Sequence, residues 1–191
     1  MSDATLRDSR FFELLLRIDE DLAAQRRADG CPCGGVVHGA RYPRKPRGVP
    51  EAAELAWRLS FCCSRDGCRR RVTPPSVRFL GRRIYLGAIV VLASAMRSGV
   101  TPARASRLKE LFGVSRQTLE RWRVWWQETF PATPFWTQAR ARLAVPVAPS
   151  ELPQGLLARF AGDVEARLVA LLRFLAPITT GSIGARSLMG L

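Results

Sequence analysis

Five cysteines constrain this chain more than any other feature of its sequence, because all of them fall within residues 31–68. They form two half-sites, Cys31-Pro32-Cys33-Gly34-Gly35 and Cys62-Cys63-Ser64-Arg65-Asp66-Gly67-Cys68. Paired cysteines on two turns, with a hairpin between them, can supply four thiolates in a tetrahedron around zinc. Glycine after the second cysteine of a half-site lets the backbone amides face the sulfurs. The pattern therefore predicts a small zinc-binding β-ribbon.

The second half-site offers either Cys62 or Cys63 as the partner of Cys68. Apolar and polar side chains alternate from Trp57 to Cys63, as they do in a half-buried strand. This alternation places Cys63 on the inward face and leaves Cys62 as a free thiol. We therefore predict four zinc ligands: Cys31, Cys33, Cys63 and Cys68.

Two alternatives to this ligand set stay open. Cys31 and Cys33 are separated by one residue, whereas the common zinc knuckle has two. His38, the only histidine of the chain, could replace one sulfur, although a polar residue of the hairpin is the role that we expect for it. Reduced structural cysteines or an oxidised pair are the alternatives to a metal site.

The chain is also strongly basic, since 30 Lys and Arg oppose 16 Asp and Glu and give a formal net charge of +14. Residues 41–83 carry twelve of the bases and only three of the acids. A field of this sign attracts polyanions, so nucleic acid is the first partner to consider and an anionic membrane the second.

The sequence contains neither a recognisable secretory signal nor a membrane-spanning segment, and this predicts where the protein is located. The first apolar stretch contains Glu13 and Arg17, which a secretory signal would exclude. The most apolar run, residues 86–95, has about half of the ~20 residues that a membrane-spanning helix needs. We therefore expect no membrane association and a cytoplasmic, nucleoid-associated location. Cysteines there are more often metal ligands than disulfides.

A proline-containing basic loop, residues 41–48, lies inside the predicted ribbon. Its prolines keep the chain extended and its cationic side chains apart, as in an arm that follows phosphates or enters a minor groove. Further arginines follow the second half-site, and Arg78, Arg82 and Arg83 are expected to extend the same surface. The DNA contacts that we predict on the ribbon are Arg41, Arg44, Lys45, Arg47, Arg69, Arg70 and Arg71.

A second motif occupies residues 104–126 and predicts a helix-turn-helix. Gly113 stands where the turn between two crossing helices needs a conformation that glycine adopts without strain, and Ser115 caps the second helix. The inward positions are Leu108, Phe112, Val114, Leu119 and Trp122. Arg116, Gln117 and Arg121 are expected on the exposed face, where such side chains bind base edges in a major groove. An ordinary helical hairpin is the alternative.

The predicted fold class is mainly α, with a small β zinc ribbon and a homeodomain-like helix-turn-helix bundle. A first predicted strand begins at Val36-Val37, a second covers residues 55–61, and a third combines 71–72 with 77–79. Predicted helices cover residues 9–27, 84–96, 101–112, 115–129 and 154–175. Trp125 and Trp126 are expected to pack against the last helix.

The predicted organisation is an N-terminal helix (1–29), a zinc ribbon with its basic loop (30–83), a helix-turn-helix domain (84–130), a proline-rich surface connector (131–152), a C-terminal helix (153–176) and a flexible tail (177–191).

Both motifs resemble parts of known proteins. The order Cys31-Pro-Cys-Gly, Phe61-Cys-Cys and Gly67-Cys-Arg-Arg-Arg, followed by helices, resembles the zinc ribbons of bacterial insertion-sequence transposases. The segment Leu111–Trp122 resembles the homeodomain-like helix-turn-helix of transposases and small regulators. The two resemblances cover residues 30–126, about half of the chain. They imply recognition of double-stranded DNA at element ends or a target site, with a recombinase or transposase as protein partner.

The resemblance does not extend to catalysis. Transposases of this kind need a separate domain with three metal-binding carboxylates on a sheet. After Trp126 this chain has four acidic residues and no strand-rich region. We therefore expect no enzyme, but an accessory or regulatory factor of a mobile element. The alternatives are an RNA-binding ribbon protein and an adaptor that docks a recombinase or replication protein.

Overall fold

Helix α1 spans Ser9–Ala28 in the computed structural model, which describes residues 8–44, 56–80, 87–94 and 101–180. The Asp8 side chain accepts the Arg10 backbone N–H and so caps the helix. The helix ends before Gly30, whose φ is +66°. Its buried face carries Phe11, Phe12, Leu15, Ile18, Asp19 and Ala23. The helix predicted over residues 9–27 is confirmed.

Within the described residues, five short strands form two antiparallel sheets. Strands β1 (Val37–Gly39), β4 (Phe61–Cys63) and β5 (Arg71–Val72) form one sheet in the order β1-β4-β5, and β2 (Tyr42–Pro43) pairs with β3 (Trp57–Arg58) in the other. Val37 lies opposite Cys63 and Pro43 opposite Trp57. Because this register is the same in both pairs, β1-β2 and β3-β4 are the two arms of one long hairpin.

The single strand predicted over residues 55–61 is wrong. Residue 55 lies outside the described residues, and the chain leaves strand geometry between Arg58 and Phe61. The buried face changes at this break. Phe61 and Cys63 are buried as predicted, but Arg58 and Ser60 are buried as well, each 2% exposed, in place of Trp57 and Leu59. Polar contacts cause the change: Arg58 donates to the Pro74 carbonyl and Ser60 Oγ to the Val72 carbonyl.

Only the first half of the predicted third strand forms. Residues 77–79 are buried without strand pairing among the described residues. Their amides donate to side chains instead: Val77 N–H to Asp19, and the N–H groups of Arg78 and Phe79 to Ser76 Oγ. The side chains of α1 and Ser76 thus take the place of a neighbouring strand.

The middle of the chain is helical. Helix α2 covers Gly87–Ser94, within the helix predicted over residues 84–96, whose remaining residues lie outside the described ones. Helix α3 covers Pro102–Phe112 and α4 covers Arg116–Val124. A π-helical turn, Trp125–Thr129, extends α4 to the residue predicted for its end.

The proline-rich connector does not simply wrap over the surface. It contains helix α5 (Pro134–Ala139) and two 3₁₀ turns, Arg140–Arg142 and Pro149–Glu151. Thr133 caps α5, and Pro134 occupies the first helical turn, where a proline is tolerated. The segment also buries side chains of Trp136, Val147 and Leu152. Two of its prolines, Pro134 and Pro149, begin helical turns.

The single C-terminal helix is also a correction, because the chain forms α6 (Gln154–Leu157) and α7 (Val164–Leu175). Gly162, with φ +101°, interrupts the helix, and Asp163 caps α7 by accepting the Ala166 N–H. A 3₁₀ turn, Ala176–Thr179, follows and buries Ile178. The start of the predicted tail is therefore packed, while residues 181–191 lie outside the described residues.

Two apolar clusters of very different size hold these elements. The larger joins α1 to all the helical elements and includes Trp125 and Trp126, which are buried as expected. Their rings contact Phe130, and the aromatic contacts continue through Phe135 to Phe174 of α7. The smaller cluster lies under the hairpin and consists of Ala23, Cys31, Val37, Phe61 and Cys63.

Candidate metal centre and candidate nucleic-acid interface

The first cysteine pair lies on a tight turn directly after α1. Gly34 N–H donates to the Cys31 carbonyl over 2.8 Å, and Cys31 N–H donates to the Gly35 carbonyl over 3.3 Å. These two bonds fold the chain back on itself, so that Cys31 and Cys33 present their sulfurs on the same side. The end of α1 therefore sets the position of the first half-site.

The second pair flanks a turn at the end of β4. Cys63 N–H donates to the Arg70 carbonyl, and Cys68 N–H donates to the Arg65 carbonyl. Ser64 N–H reaches back to the Val36 carbonyl on the first arm of the hairpin. Hairpin register thus brings the second turn next to the first.

The four sulfurs of these turns form one compact group. Sγ atoms of Cys31, Cys33, Cys63 and Cys68 all lie within 4.8 Å of one another. Cys33 and Cys63 are 3.5 Å apart, and Cys31 and Cys68 are 3.8 Å apart. With zinc–sulfur bonds of about 2.3 Å, neighbouring sulfurs of a tetrahedron lie about 3.8 Å apart. All five cysteines are free thiols, so the group has the donors and the size of a tetrathiolate metal site.

Gly35 shows how closely the backbone approaches this group. A Cβ at this position would lie 2.6 Å from Cys63 Sγ and 3.3 Å from Cys33 Sγ. Since real Cβ atoms do not come this close to a sulfur, any other residue would push the second half-site away from the first. Space therefore requires a glycine at position 35, whereas Gly34, the glycine directly after Cys33 that the sequence pattern singled out, has φ +78° and open space around it.

The thiols differ in acidity. Hydrogen bonds from the Gly35 backbone N–H and with the other three thiols lower the pKa of Cys33 to about 6. For Cys63, a hydrogen bond from the Arg65 N–H lowers the pKa, but burial and the neighbouring thiols outweigh it and raise the pKa to about 12. One thiolate is therefore stabilised by the protein alone, while four together need a cation between them.

Neither Cys62 nor His38 belongs to this group. Cys62 Sγ is directed at the carbonyls of Cys63 and Arg69, at 3.7 and 3.6 Å. His38 lies opposite Cys62 in the register and is exposed. The cysteines that the strand alternation selected are thus the ones that meet.

The α3–α4 segment has the local geometry that the sequence predicts. Thr101 and Ser115 cap the two helices through their side-chain oxygens. Gly113 has φ +65° and ends α3, where its N–H donates to the Lys109 carbonyl. The predicted inward residues Leu108, Phe112, Val114, Leu119 and Trp122 are all buried, and α4 packs against α2 and α3.

The exposed face of α4 differs from the prediction at one residue. Arg116 and Gln117 are exposed, and Arg116 pairs with Glu120 at 2.9 Å. Arg121 is only half-exposed, because its guanidinium donates to the buried Thr118 hydroxyl over 3.2 Å. The accessible polar side chains near the beginning of the helix are therefore Arg116, Gln117 and Glu120.

The basic residues of the ribbon divide between surface and interior. Arg41, Arg69, Arg70 and Arg71 are exposed, although Arg69 pairs with Asp66 at 2.7 Å. Arg44 is half-buried and stacks on Tyr42, with its guanidinium 5.1 Å from the ring centroid. The remaining predicted contacts of this surface that lie outside the described residues are Lys45, Arg47, Arg82 and Arg83.

Arg78 is not part of the basic surface, which corrects the sequence-based expectation. It is fully buried, and its Nε donates to Asp19 Oδ2 over 2.9 Å. Ser76 Oγ donates to the same carboxylate over 2.6 Å. Arg58 is buried nearby, where desolvation lowers the pKa of its guanidinium and Asp19 opposes this effect. These residues join α1 to the hairpin through buried charge.

The sequence contains one sign of this network. Asp19 lies four residues after Leu15, within the apolar stripe of α1, where an acidic side chain needs a buried partner. Nothing near it in sequence identifies that partner, since Ser76 and Arg78 lie 57 and 59 residues away.

No helix in the part of the chain that the structure describes is long and apolar enough to cross a membrane. Comparison with models of protein families, with curated proteins and with solved structures found no match to this chain.

Proposed function

We propose that this chain is a zinc-containing DNA-binding protein that combines a zinc ribbon with a helix-turn-helix. The observation that supports this proposal most directly concerns α3 and α4. These two capped helices, joined at Gly113 and packed through buried residues, leave Arg116 and Gln117 exposed near the beginning of α4. The residues at that end of a recognition helix are the ones that reach base edges in a major groove.

Zinc is the metal that fits the four-cysteine group best. It favours tetrahedral sites, and the sulfur spacing near 3.8 Å agrees with its bond lengths. Cys31, Cys33, Cys63 and Cys68 would all coordinate it and leave no open position, as in a structural site. The metal then acts by holding the ribbon, and with it the basic side chains that follow the second half-site, in a fixed position.

In this proposal the ribbon and the helix-turn-helix make different contacts with DNA. Exposed Arg41, Arg69, Arg70 and Arg71 contact phosphates and supply affinity that falls with salt. Arg116 and Gln117 contact bases and supply sequence preference. Because both motifs resemble those of transposases, the proposed role is that of an accessory or regulatory factor of a mobile element.

The test is selection from a randomised duplex pool, followed by affinity measurements on the enriched and on scrambled duplexes. We expect Gln117→Ala and Arg116→Ala to lower affinity for the enriched duplex by about 1–3 kcal/mol per lost bidentate contact, while binding to scrambled duplex changes little. Gln138→Ala and Arg140→Ala, exposed residues of the connector, are the matched controls.

The outcomes separate the possible roles. If the parent protein enriches no sequence, base reading by α4 is wrong. A protein partner that competes with duplex for the basic surface would then favour the adaptor alternative. If Gln117→Ala and Arg116→Ala keep the parental motif unchanged, DNA is read by a different face.

A further inference from the structure

The β2–β3 pair presents a stacked arginine and tryptophan on its outer surface. Arg41 and Pro43 are exposed, and Pro43 lies directly opposite Trp57 in the register. The Arg41 guanidinium lies over the Trp57 ring, 5.0 Å from its centroid. The opposite face of the same pair carries Arg58, which is buried. The sheet therefore has one face fixed in the protein and one that carries an arginine over a tryptophan ring.

Hydrogen bonds to the backbone of the β2–β3 pair hold Trp57 in place. The Trp57 carbonyl accepts a hydrogen bond of 2.8 Å from Arg78, the arginine of the buried ion pair. Ala40 N–H donates to the Ser60 carbonyl and Arg44 N–H to the Ala56 carbonyl, so backbone bonds continue on both sides of the sheet. A rigid platform loses little conformational entropy when a ligand binds it.

Arg41 is also chemically available. Among the described residues it makes no ion pair and no hydrogen bond, and its recorded contact is the Trp57 ring. A guanidinium that lies over one ring can offer its other face to a second π-system, while its N–H groups bind phosphate. Arg44 lies over the Tyr42 ring in a second contact of this kind, on the face of the pair that carries Arg58.

We infer that Arg41 and Trp57 form a binding site for unpaired nucleobases, so that the chain also binds single-stranded nucleic acid. A base in a duplex has both faces covered by its neighbours and cannot enter such a stack, whereas every unpaired base has a free face. The formal net charge of +14 attracts the phosphates of the strand. This site is separate from α4 and does not depend on base reading there.

The experiment measures binding of a twelve-nucleotide oligo-dT, an oligo-rU of the same length and a duplex, all to the full-length protein. Tryptophan fluorescence reports on the site, because Trp122, Trp125, Trp126 and Trp136 are buried and Trp57 is more exposed. We expect the single strand to quench this fluorescence, and Trp57→Phe to remove most of the quenching. The dT and rU arms show whether the ligand is DNA, RNA or both.

The decisive variant is Arg41→Lys, which keeps the charge but loses the flat group. Loss of one stacked base costs about tenfold in affinity, so we expect the ratio of single-strand to duplex affinity to fall by that factor. Arg142→Lys, an exposed arginine of the connector, is the control. An unchanged ratio in Arg41→Lys, or no single-strand binding by the parent, would overturn the inference. Neither result affects the duplex selection that tests the proposed function.

Discussion

The hairpin with its four cysteines and the helical core are stabilised by different means. The helical core buries a large set of apolar side chains, including four tryptophans, and several of its leucines have no exposed surface. The hairpin cluster has five buried members, two of which are cysteines of the sulfur group. Burial of apolar surface contributes about 25 cal/mol per Å². The helical core can fold on this contribution, whereas the proposed metal would supply much of the folding free energy of the hairpin.

A buried polar network connects these two regions. Asp19 of α1 holds Arg78, Ser76 and the Val77 amide, and Arg78 in turn donates to the Trp57 carbonyl of the hairpin. Thr179 Oγ1 accepts the Ser76 amide, so the end of the helical region is tied to the same place. We therefore expect substitutions in the hairpin, in the helical core and in the buried polar network to change stability in three different ways.

The largest effect should follow from loss of the metal. In Cys68→Ser the site loses one of four thiolates, and structural zinc contributes about 10–16 kcal/mol of apparent binding free energy in zinc-finger peptides. We expect zinc, measured by elemental analysis, to fall from one equivalent to well under half. Hydrogen exchange should accelerate in residues 31–44 and 56–72 while α4 and α7 keep their protection. Ser64→Ala, an exposed neighbour, is the control; equal loss of protection in both regions would show that they fold as one unit.

The connection is tested by Asp19→Asn. This change leaves the buried Arg78 without its counter-charge, and breaking a buried pair in this way costs about 3–5 kcal/mol. We expect denaturant midpoints of both regions to fall together, with zinc still bound at one equivalent. Glu20→Gln, the exposed neighbour on α1, is the matched control. If Asp19→Asn is as stable as Glu20→Gln, the network does not couple the regions.

The core is tested alone by Leu119→Ala. Leu119 is fully buried between α3 and α4, and truncation of such a leucine costs about 2–5 kcal/mol. We expect the thermal midpoint of the helical region to fall while zinc content and exchange in the cysteine turns stay as in the parent. Glu120→Ala removes a neighbouring exposed side chain and should change stability little. Zinc loss in Leu119→Ala would mean that the hairpin depends on the core.

Local signals in the sequence predicted what local interactions determine. The caps of α3 and α4 and the glycine between them were predicted, because each depends on residues within one turn. The cysteine group was predicted because strand alternation and glycine spacing are also local. By contrast, Arg78 was expected on the surface because an arginine after a basic run is usually solvated.

Two of the remaining errors have one physical cause, which is a partner far away in the sequence. Arg58 is buried because the Pro74 and Thr179 carbonyls accept its N–H groups, at 2.6 and 3.5 Å. Trp136 of the connector is buried in the same apolar cluster as Leu168 and Leu172 of α7. In each case tertiary contacts determined burial against the local pattern, and no periodicity within the segment indicates them.

The smallest effect distinguishes the two adjacent cysteines of β4. Cys62 contacts two carbonyl oxygens and no other sulfur, so Cys62→Ser keeps a hydrogen-bonding group there and should change stability by no more than about 0.5 kcal/mol. Cys63 is 1% exposed and lies 3.5 Å from Cys33 Sγ, so Cys63→Ser should lose zinc as Cys68→Ser does. The two cysteines differ by one position along one strand, which makes each variant the control of the other.

The measurement is zinc content of freshly reduced protein, together with the number of thiols that react with an alkylating reagent before and after chelation. The parent should show one reactive thiol with zinc bound, Cys62, and Cys62→Ser should show none. If Cys62→Ser loses zinc and Cys63→Ser keeps it, the register of β4 against β1 is wrong by one residue, and the inward face of the hairpin must be reassigned.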